Sequence, residues 1–492
     1  MIICKQLMHA PMGSNDEHME EAAAGTAVRI VSRRMVRPWS GAQPPPPEDI
    51  HLTPWDLRLL TIDHIQKGIV LPKPPVGGER LVDTLASSLA RALSRYYHFA
   101  GRLAVQEHGD GTLTVPLRCT GEGAELVHAA APSVAVADIV GSTYTPSQVV
   151  WAFFPLNGVL DADAAIESLP VLSAQVTELA DGVFIAVSMN HSVGDGTSFW
   201  EFFNEWSEIH RGGDGTILAE NGGLLLQKMT ISKKKQAPPA HARWFVETSP
   251  VPIRLPFSKL HHVLRRFELP PVREGFFTFS AASVRQLKAR ANEEMAGVAT
   301  GTISSLQALL AHVWRAVCRA RRLPPAQETF YAVIIGCRGR VRGIPPGYVG
   351  NAVVPGRAAC AVGEILGNGL GWTAWQLNRA VASFDEAALR EFLRLWVREP
   401  TFSFTGNLSA GGAGLETGSS PRFDVFGNDF GWGRPVGVRS GLGDKTDGKV
   451  TVFEGPERGG SMSLEVCVAP NALERLVADK EFMDAVSLPP AV

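Results

Sequence analysis

The sequence predicts an α/β protein of two domains. Its 492 residues exceed what one ordinary hydrophobic core accommodates, so two domains are the default expectation. Alternating apolar residues predict strands in both halves of the chain, and apolar residues at helical spacing predict helices between them. An apolar content of 45% and a charged content of 20% are typical of an ordinary globular protein.

Charge, cysteine spacing and the N-terminal segment argue against several classes of protein. The net charge is -2, so nucleic-acid binding is not expected. Six cysteines are scattered without a C-x-x-C pair, which argues for a reducing compartment and against disulfides or a zinc site. Residues 1–26 are predicted to be a mobile tail without the features of a secretory signal or transit peptide, and no apolar run is long enough to span a membrane. We therefore expect a cytoplasmic protein that binds no metal and contacts no membrane.

The N-terminal domain is predicted over residues 27–225. Its elements, in order, are a strand from Ala27 to Val36, a helix from Leu81 to Tyr97, a hairpin turning at Gly109-Asp-Gly111, and a second hairpin that turns at Asp181-Gly182. Residues 226–245, which include three consecutive lysines, are predicted to be a crossover loop; a solvated charge run is the plainer interpretation of the lysines.

The C-terminal domain is predicted over residues 246–492. Its clearest element is a helix from Ile303 to Arg319, where Ser304 and Gln307 have capping-box spacing. The other predicted elements are a strand from Phe276 to Phe279, a helix from Ala281, a strand from Phe330 to Ile335, a helical region from Gly363 to Trp396, strands from Val450 to Phe453 and Met462 to Val468, and a helix from Asn471 to Val486.

The stretch from Asn190 to Gly196 is the strongest candidate for chemistry. It follows an alternating run, Val183 to Met189, which predicts a half-buried strand, and His191 shares the parity of its inward face. A helix is predicted from Thr197, with Ser198 and Glu201 in capping-box spacing and a buried stripe of Phe199, Phe202, Phe203 and Trp206. A histidine at a strand end beside a glycine turn is well placed to act as a general base, although a buried structural histidine has the same pattern.

A second feature lies near the C-terminus, at Asp429-Phe430-Gly431-Trp432-Gly433. Two glycines flanking a tryptophan predict a fixed loop, and Asp429 is suited to capping it. The segment contains no nucleophile, so its residues alone predict a structural turn.

Together the two stretches resemble the two signatures of the plant BAHD acyltransferases, in the expected order. Supporting stretches that also resemble this family are Tyr96 to Arg102, Ser304 to Leu309, His312 to Trp314 and Gly347 to Asn351. The sequence from Gly196 to Phe203 is similar to that of one branch of the family, which contains uncharacterised acetyltransferases and proteins linked to pathogen defence. One departure is Cys337, where the family usually has an acidic residue or asparagine.

The resemblance implies the two-domain CoA-dependent acyltransferase fold, like that of chloramphenicol acetyltransferase, with mixed sheets flanked by helices. A channel between the domains would hold His191 at its centre, with acyl-CoA as co-substrate, a small-molecule acceptor, no bound cofactor and a monomeric protein. Asp195, followed by Gly196, would pair with Arg338 and fix the loop. The loop from Asp429 through Phe430, Gly431, Trp432 and Gly433 would keep the channel in shape, and the helix start at Ser304 and Ser305 offers N–H groups to CoA.

Residue chemistry and the resemblance together predict direct transfer. A thioester carbonyl is already electrophilic, so a base that deprotonates the acceptor hydroxyl or amine suffices, and neutral imidazole suits that task. Ser192 adjoins His191 but points to the opposite face of an extended chain, and no G-x-S-x-G motif occurs. Two alternatives remain open: a lyase acting on a conjugated metabolite in the same pocket, and a catalytically idle binding protein. A condensation domain is disfavoured because nothing resembles a carrier domain.

Overall fold

The computed structural model describes most of the chain, and two large sheets organise it. The described residues are 28–39, 49–212, 216–218, 224–226, 239–298, 300–405, 413–443 and 445–487. The predicted tail, residues 1–26, and most of the predicted crossover, residues 227–238, lie outside this part of the chain.

The first sheet has six strands and consists mainly of the N-terminal half. Its spatial order is Arg29–Val36, Ala124–Ala131, Leu172–Leu179, Gly182–Met189, Ile65–Pro72 and Gly437–Ser440. The second and third of these strands run parallel, and every other neighbouring pair is antiparallel. The hairpin predicted to turn at Asp181-Gly182 is therefore present at the centre of the sheet.

The strand Gly182–Met189 is buried on both faces, so the prediction of a half-buried strand was wrong. Val183, Ile185, Val187 and Met189 belong to the main core cluster of this half. Phe184 and Ala186, on the opposite face, belong to a second cluster. Ala186 is small and Ser188 is polar, so this face has the sequence pattern of an exposed one. Both side chains are nevertheless buried.

The second sheet also has six strands and comes entirely from the C-terminal half. Its spatial order is Arg273–Phe279, Met462–Val468, Lys449–Glu454, Gly414–Gly418, Glu328–Gly336 and Val353–Ala361. Gly414–Gly418 runs parallel to both of its neighbours. The helix Ser305–Arg321 packs against this sheet through the second large core cluster. Ser304 caps that helix with Gln307 in a reciprocal capping box, as predicted.

Seven shorter strands of the described residues form three smaller, separate sheets. Three pair as Asp49–His51, Pro116–Arg118 and Arg102–Leu103, and four more form the hairpins Gln106–Glu107 with Leu113–Thr114 and Thr216–Leu218 with Leu224–Leu226. The hairpin predicted around Gly109-Asp-Gly111 is the first of these two.

The α-helices of the described residues cover the sheets and connect their strands. In chain order they are Pro54–Leu57, Gly78–Arg95, Val136–Val140, Ser147–Trp151, Asp161–Ile166, Gly196–Arg211, Ala281–Glu294, Ser305–Arg321, Val362–Gly367, Gly369–Ala382, Glu386–Trp396, Pro470–Val477 and Lys480–Met483. Three 3-10 turns, Tyr97–Ala100, His191–Val193 and Leu260–Val263, accompany them.

Two predicted helices are interrupted. The region from Gly363 to Trp396 divides at Gly369, whose φ of +84° is unsuited to a helix interior, and again where Asp385 caps a new helix. The helix predicted from Asn471 to Val486 divides at Asp479, whose side chain accepts a hydrogen bond from the Phe482 N–H. In both helices a polar side chain satisfies the backbone better than continuing the helix would.

One strand connects the two halves of the sequence. Gly437–Ser440 comes from the C-terminal half but pairs with Ile65–Pro72 in the first sheet. The C-terminal half of the sequence therefore supplies one strand of the first sheet. The domain boundaries predicted from the sequence stay a prediction.

Candidate active site

A large cavity lies between the two halves of the molecule. Its volume is about 1930 Å³, and its wall includes His191 and Asp195 from the first half and Ser304, Ser305 and Arg338 from the second. Aromatic side chains form much of the apolar lining, namely Trp55, Trp200, Phe402, Phe404 and Phe423. The cavity exceeds the usual 300–1,000 Å³ of a small-ligand pocket, so it has room for two substrates at once.

His191 enters this cavity from a 3-10 turn, His191–Val193, rather than from the extended strand. Alternation along a strand therefore does not set the direction of the His191 side chain. The residue does face inward, at the cavity wall, but the turn and not the strand places it there. The Asn190 side chain caps the turn by accepting the Ser192 N–H at 3.0 Å, and Asn351 Nδ2 donates to the His191 carbonyl at 2.7 Å. Amide side chains thus fix the first two residues of the turn, and the imidazole is left half-buried at the cavity wall.

Asp195 caps the helix Gly196–Arg211, which corrects the predicted capping box of Ser198 and Glu201. Its Oδ1 accepts the N–H groups of Thr197 at 3.0 Å and Ser198 at 3.3 Å. The helix begins one residue before the predicted start because a buried aspartate is a better cap than a serine within the first turn. The predicted stripe of Phe199, Phe202, Phe203 and Trp206 is buried. Gly196 lies at the cavity wall.

The other oxygen of Asp195 binds the C-terminal half. Arg338 donates to Oδ2 at 2.6 Å, and the Ala352 N–H donates to the same atom at 3.0 Å. Burial by itself raises the pKa of Asp195, but the charge and hydrogen bonds of Arg338 outweigh burial and hold that pKa below its usual value. Both carboxylate oxygens are therefore committed away from the His191 ring, and the contact with Arg338 expected from the resemblance is present.

Arg338 extends this connection to the turn-rich segment around Tyr348. Its guanidinium donates to the carbonyl oxygens of Tyr348 at 3.1 Å and Gly350 at 2.7 Å, and it lies 5.5 Å from the centre of the Tyr348 ring. The neighbouring Cys337 is fully buried, and burial raises the pKa of its thiol to about 12. The unusual residue before Arg338 thus remains a neutral core side chain.

The loop from Asp429 to Gly433 lies away from the cavity, and none of its five residues contributes to the wall. Asp429 Oδ1 accepts the N–H groups of Gly431 at 2.7 Å and Gly433 at 3.2 Å, and both glycines have positive φ, +104° and +135°. Phe430 packs edge-on against Trp206 at 5.2 Å, and Trp432 packs edge-on against His210 at 5.4 Å. The loop therefore braces the C-terminal end of the helix whose N-terminal end carries Asp195.

Ser304 and Ser305 lie at the cavity wall at the start of the helix Ser305–Arg321. The Ser304 hydroxyl is used internally, since it accepts the Gln307 N–H at 3.3 Å. The first turn of this helix faces the cavity with its N-terminal end, where a helix favours anionic groups. Binding of CoA by these two residues stays a prediction.

Sequence reasoning missed a second polar group beneath the His191 turn. Asp161 is fully buried, and its Oδ2 accepts the Ser192 N–H at 2.7 Å and the Ser192 hydroxyl at 3.1 Å. The backbone N–H of His191 also donates to this carboxylate. His64, whose Nδ1 lies 3.2 Å from Asp161 Oδ1, lines the cavity. No motif marks these residues, because their partners are more than 30 positions away in the sequence.

One buried group of acidic and cysteine side chains has the composition of a metal site, at Glu274, Glu465 and Cys467. The Lys445 ammonium lies 2.5 Å from a carboxylate oxygen of each glutamate. This internal cation holds the pKa of Glu465 below its usual value against the effect of burial, whereas burial raises the pKa of Glu274. The group is therefore an ion-pair cluster that joins the second sheet to the loop at Lys445.

Comparison with known proteins agrees with the fold. The model of the Transferase family matches residues 26–483. An uncharacterised acetyltransferase of Arabidopsis thaliana is 35% identical, over 89% of this chain and 94% of its own length. Enhanced Pseudomonas Susceptibility 1 of the same plant is 33% identical, over 93% of this chain and 98% of its own. TRI101 of F. sporotrichioides, solved with coenzyme A and T-2, superposes with a TM-score of 0.66 at 20% identity, covering 89% of this chain and 99% of its own.

The chain belongs to this Transferase family, the BAHD acyltransferases, and is an acyltransferase. The expected fold is confirmed, and acyl-CoA is the co-substrate that the family uses. None of the described helices is both long and apolar enough to cross a bilayer.

Proposed function

We propose that this protein transfers an acyl group from acyl-CoA to a hydroxyl or amine of a small plant metabolite, with His191 as the general base. The observation that carries the proposal is the position of His191: its ring lies at the wall of a cavity that both halves build. Nδ1 of the ring is buried, so Nε2 is the nitrogen that we assign to the substrate. Similarity to plant acyltransferases supports the substrate class.

The proposed reaction proceeds in one complex of enzyme, acyl-CoA and acceptor. Nε2 takes the proton of the acceptor O–H or N–H while that atom attacks the thioester carbonyl. The C–S bond then breaks, and the imidazolium returns the proton to the CoA thiolate, so the ring ends as it began. No residue needs to carry the acyl group, because the thioester is already activated.

Two features of the site support direct attack. Ser192, next to His191, is fully buried and its hydroxyl is bound to Asp161, so it is not available as a nucleophile. Asp195 is committed to Arg338 and to the helix cap, unlike the aspartate of a Ser-His-Asp triad, which holds the imidazole. We further propose that Ser304 and Ser305 bind a phosphate or amide of CoA, and that the protein acts as a cytoplasmic monomer.

A donor screen tests this proposal. Acetyl-, malonyl- and p-coumaroyl-CoA are each mixed with the purified protein and a plant metabolite extract, and new acylated masses are sought by mass spectrometry. At least one donor should give a product that appears with the wild-type protein and is absent with His191→Ala. Consumption of an extract component without CoA release would instead indicate the lyase alternative, and no product with any donor would favour the idle binding protein.

A further inference from the structure

His64 is a second imidazole at the cavity wall, and the proposed chemistry does not use it. The residue directly precedes the strand Ile65–Pro72, is 3% exposed, and lines the same cavity as His191. A buried histidine with no assigned task needs a physical explanation, because polar groups in protein interiors are normally satisfied.

The contacts of Nδ1 fix where the ring carries its proton. Nδ1 lies 3.1 Å from the Val159 carbonyl oxygen and 3.2 Å from Asp161 Oδ1. A carbonyl oxygen can only accept, so the hydrogen bond with Val159 forms when Nδ1 is the donor, and on that ground we assign the ring proton to Nδ1. Burial, the largest effect, and the nearby charge of His191 lower the pKa of His64 to about 4, so the ring is neutral at physiological pH.

A neutral ring that is protonated at Nδ1 leaves Nε2 with a bare lone pair. Nε2 is buried and has no hydrogen-bond partner among the described residues. A buried acceptor left unsatisfied costs free energy, and a donor that enters the cavity removes that cost. Val159 and Asp161 hold the Nδ1 side of the ring, so Nε2 is the ring nitrogen that the described residues leave unbound.

One carboxyl group, that of Asp161, contacts the His64 ring and the backbone of the His191 turn. Asp161 Oδ1 lies beside the His64 ring, while Asp161 Oδ2 accepts the backbone N–H of Ser192, the residue next to His191. Both histidines line the same cavity. His191 is the one proposed to remove a proton, which leaves His64 to bind a second donor.

We propose that His64 Nε2 accepts a hydrogen bond from a second hydroxyl or N–H group of the acceptor molecule. The site would thereby select acceptors with two nearby donor groups, such as a vicinal diol, a catechol or an amino alcohol. This inference rests on the proposed function for the role of His191. His64 is a substrate-binding residue and takes no proton during transfer.

Two variants with side chains that mimic part of the imidazole separate a substrate-binding role of His64 from a structural role. In His64→Asn the amide nitrogen takes the place of Nδ1 and keeps the contacts with Val159 and Asp161, but the acceptor toward the cavity is lost. In His64→Gln the amide oxygen takes the place of Nε2 and keeps that acceptor, but the internal donor is lost. A structural role predicts that His64→Gln is the damaged variant, whereas a binding role predicts that His64→Asn is.

The probes are cis-1,2-cyclohexanediol and cyclohexanol, compared by kcat/KM for CoA release with the donor that the screen identifies. Wild type should prefer the diol about three- to tenfold beyond the statistical advantage of its second hydroxyl, the usual worth of one hydrogen bond. His64→Asn should lose this preference while its KM for acyl-CoA is unchanged, and His64→Gln should keep it. An undiminished preference in His64→Asn, or no preference in wild type, would overturn the proposal.

A binding measurement keeps the inference separate from the activity. In protein labelled with 15N-histidine, the Nε2 signal that disappears in His64→Asn should show an unprotonated nitrogen that moves on addition of the diol and moves less with cyclohexanol. This shift should occur even if no donor is turned over, in which case the proposed function fails and the His64 site stands. An Nε2 signal that is protonated, or that neither probe moves, contradicts the His64 site whatever the activity.

Discussion

Asp195 and Asp429 lie near opposite ends of one helix, and they differ in what their carboxylates bind. Asp195 starts the helix Gly196–Arg211 beside His191, is buried, and binds Arg338 across the two halves. The Asp429 carboxylate accepts N–H groups of its own loop, which packs on the far end of the helix through Phe430 and Trp432. Sixteen helical residues separate the two ends by about 24 Å.

The comparison shows that two equally recognisable sequence motifs can have unequal roles. Both motifs act on the same helix, but only the first reaches the cavity. The loop from Asp429 to Gly433 packs on the C-terminal end of the helix, and Asp195 caps its N-terminal end beside the His191 turn. Changes at the first motif should therefore affect chemistry directly, and changes at the second should act through stability.

The largest effect is expected from His191→Ala. The base is lost while only one half-buried side chain changes, so kcat should fall about 10²- to 10⁴-fold with little change in melting temperature. Steady-state rates and thermal unfolding on the same preparation measure both. A variant that keeps more than about a tenth of the wild-type kcat would exclude the base role.

Asp195→Asn should lower both stability and activity. The substitution leaves the partly buried Arg338 guanidinium without its anion. Breaking a fully buried pair costs about 3–5 kcal/mol, which is an upper value here because the Arg338 side chain is 23% exposed. Denaturant unfolding of the variant, with Arg338→Gln and the double variant to complete a cycle, measures the coupling of the two side chains. If the melting temperature were unchanged while kcat fell, Asp195 would belong in the catalytic hydrogen-bond chain instead.

The same variant has a defined pH dependence. The folded-state pKa of Asp195 is lowered, so its stabilising contribution is fully present above the unfolded pKa, about 3.9, and is lost as pH falls through the lower, folded pKa. The stability difference between wild type and Asp195→Asn should thus be constant near neutral pH and close only in acid.

Asp429→Asn, the same chemical change at the other end of the helix, should have the smallest effect. The amide oxygen can still accept the Gly431 and Gly433 N–H groups, and only the charge is lost, so about 1 kcal/mol of stability is at stake. The kcat of the folded fraction should equal that of wild type. A tenfold loss of kcat with unchanged stability would place the second motif in the catalytic machinery and remove the distinction between the two aspartates.

Local patterns in the sequence predicted those features that depend on near neighbours. The hairpin before His191, the capping box at Ser304 and the buried aromatic stripe after Gly196 all follow from residues a few positions apart. The Asp195–Arg338 contact spans 143 positions and came from family resemblance, not from spacing.

Features that depend on distant partners were not predictable in this way. The short strand Gly437–Ser440 has no alternation of its own and is defined by pairing with Ile65–Pro72. Asp161 and His64 are ordinary residues in the sequence, and only the fold brings them beneath the His191 turn. The interrupted helices were missed because each cap competes locally with a continuous apolar pattern.

Initial-rate kinetics in both substrates, combined with intact-protein mass spectrometry, test most directly whether His191 activates the acceptor for attack in a ternary complex. Double-reciprocal lines should intersect, and acyl-CoA mixed with the enzyme alone should release CoA only at a slow hydrolytic rate, with no mass added to the protein. Parallel lines, together with a stoichiometric burst of CoA and a matching acyl mass on the protein, would contradict direct transfer.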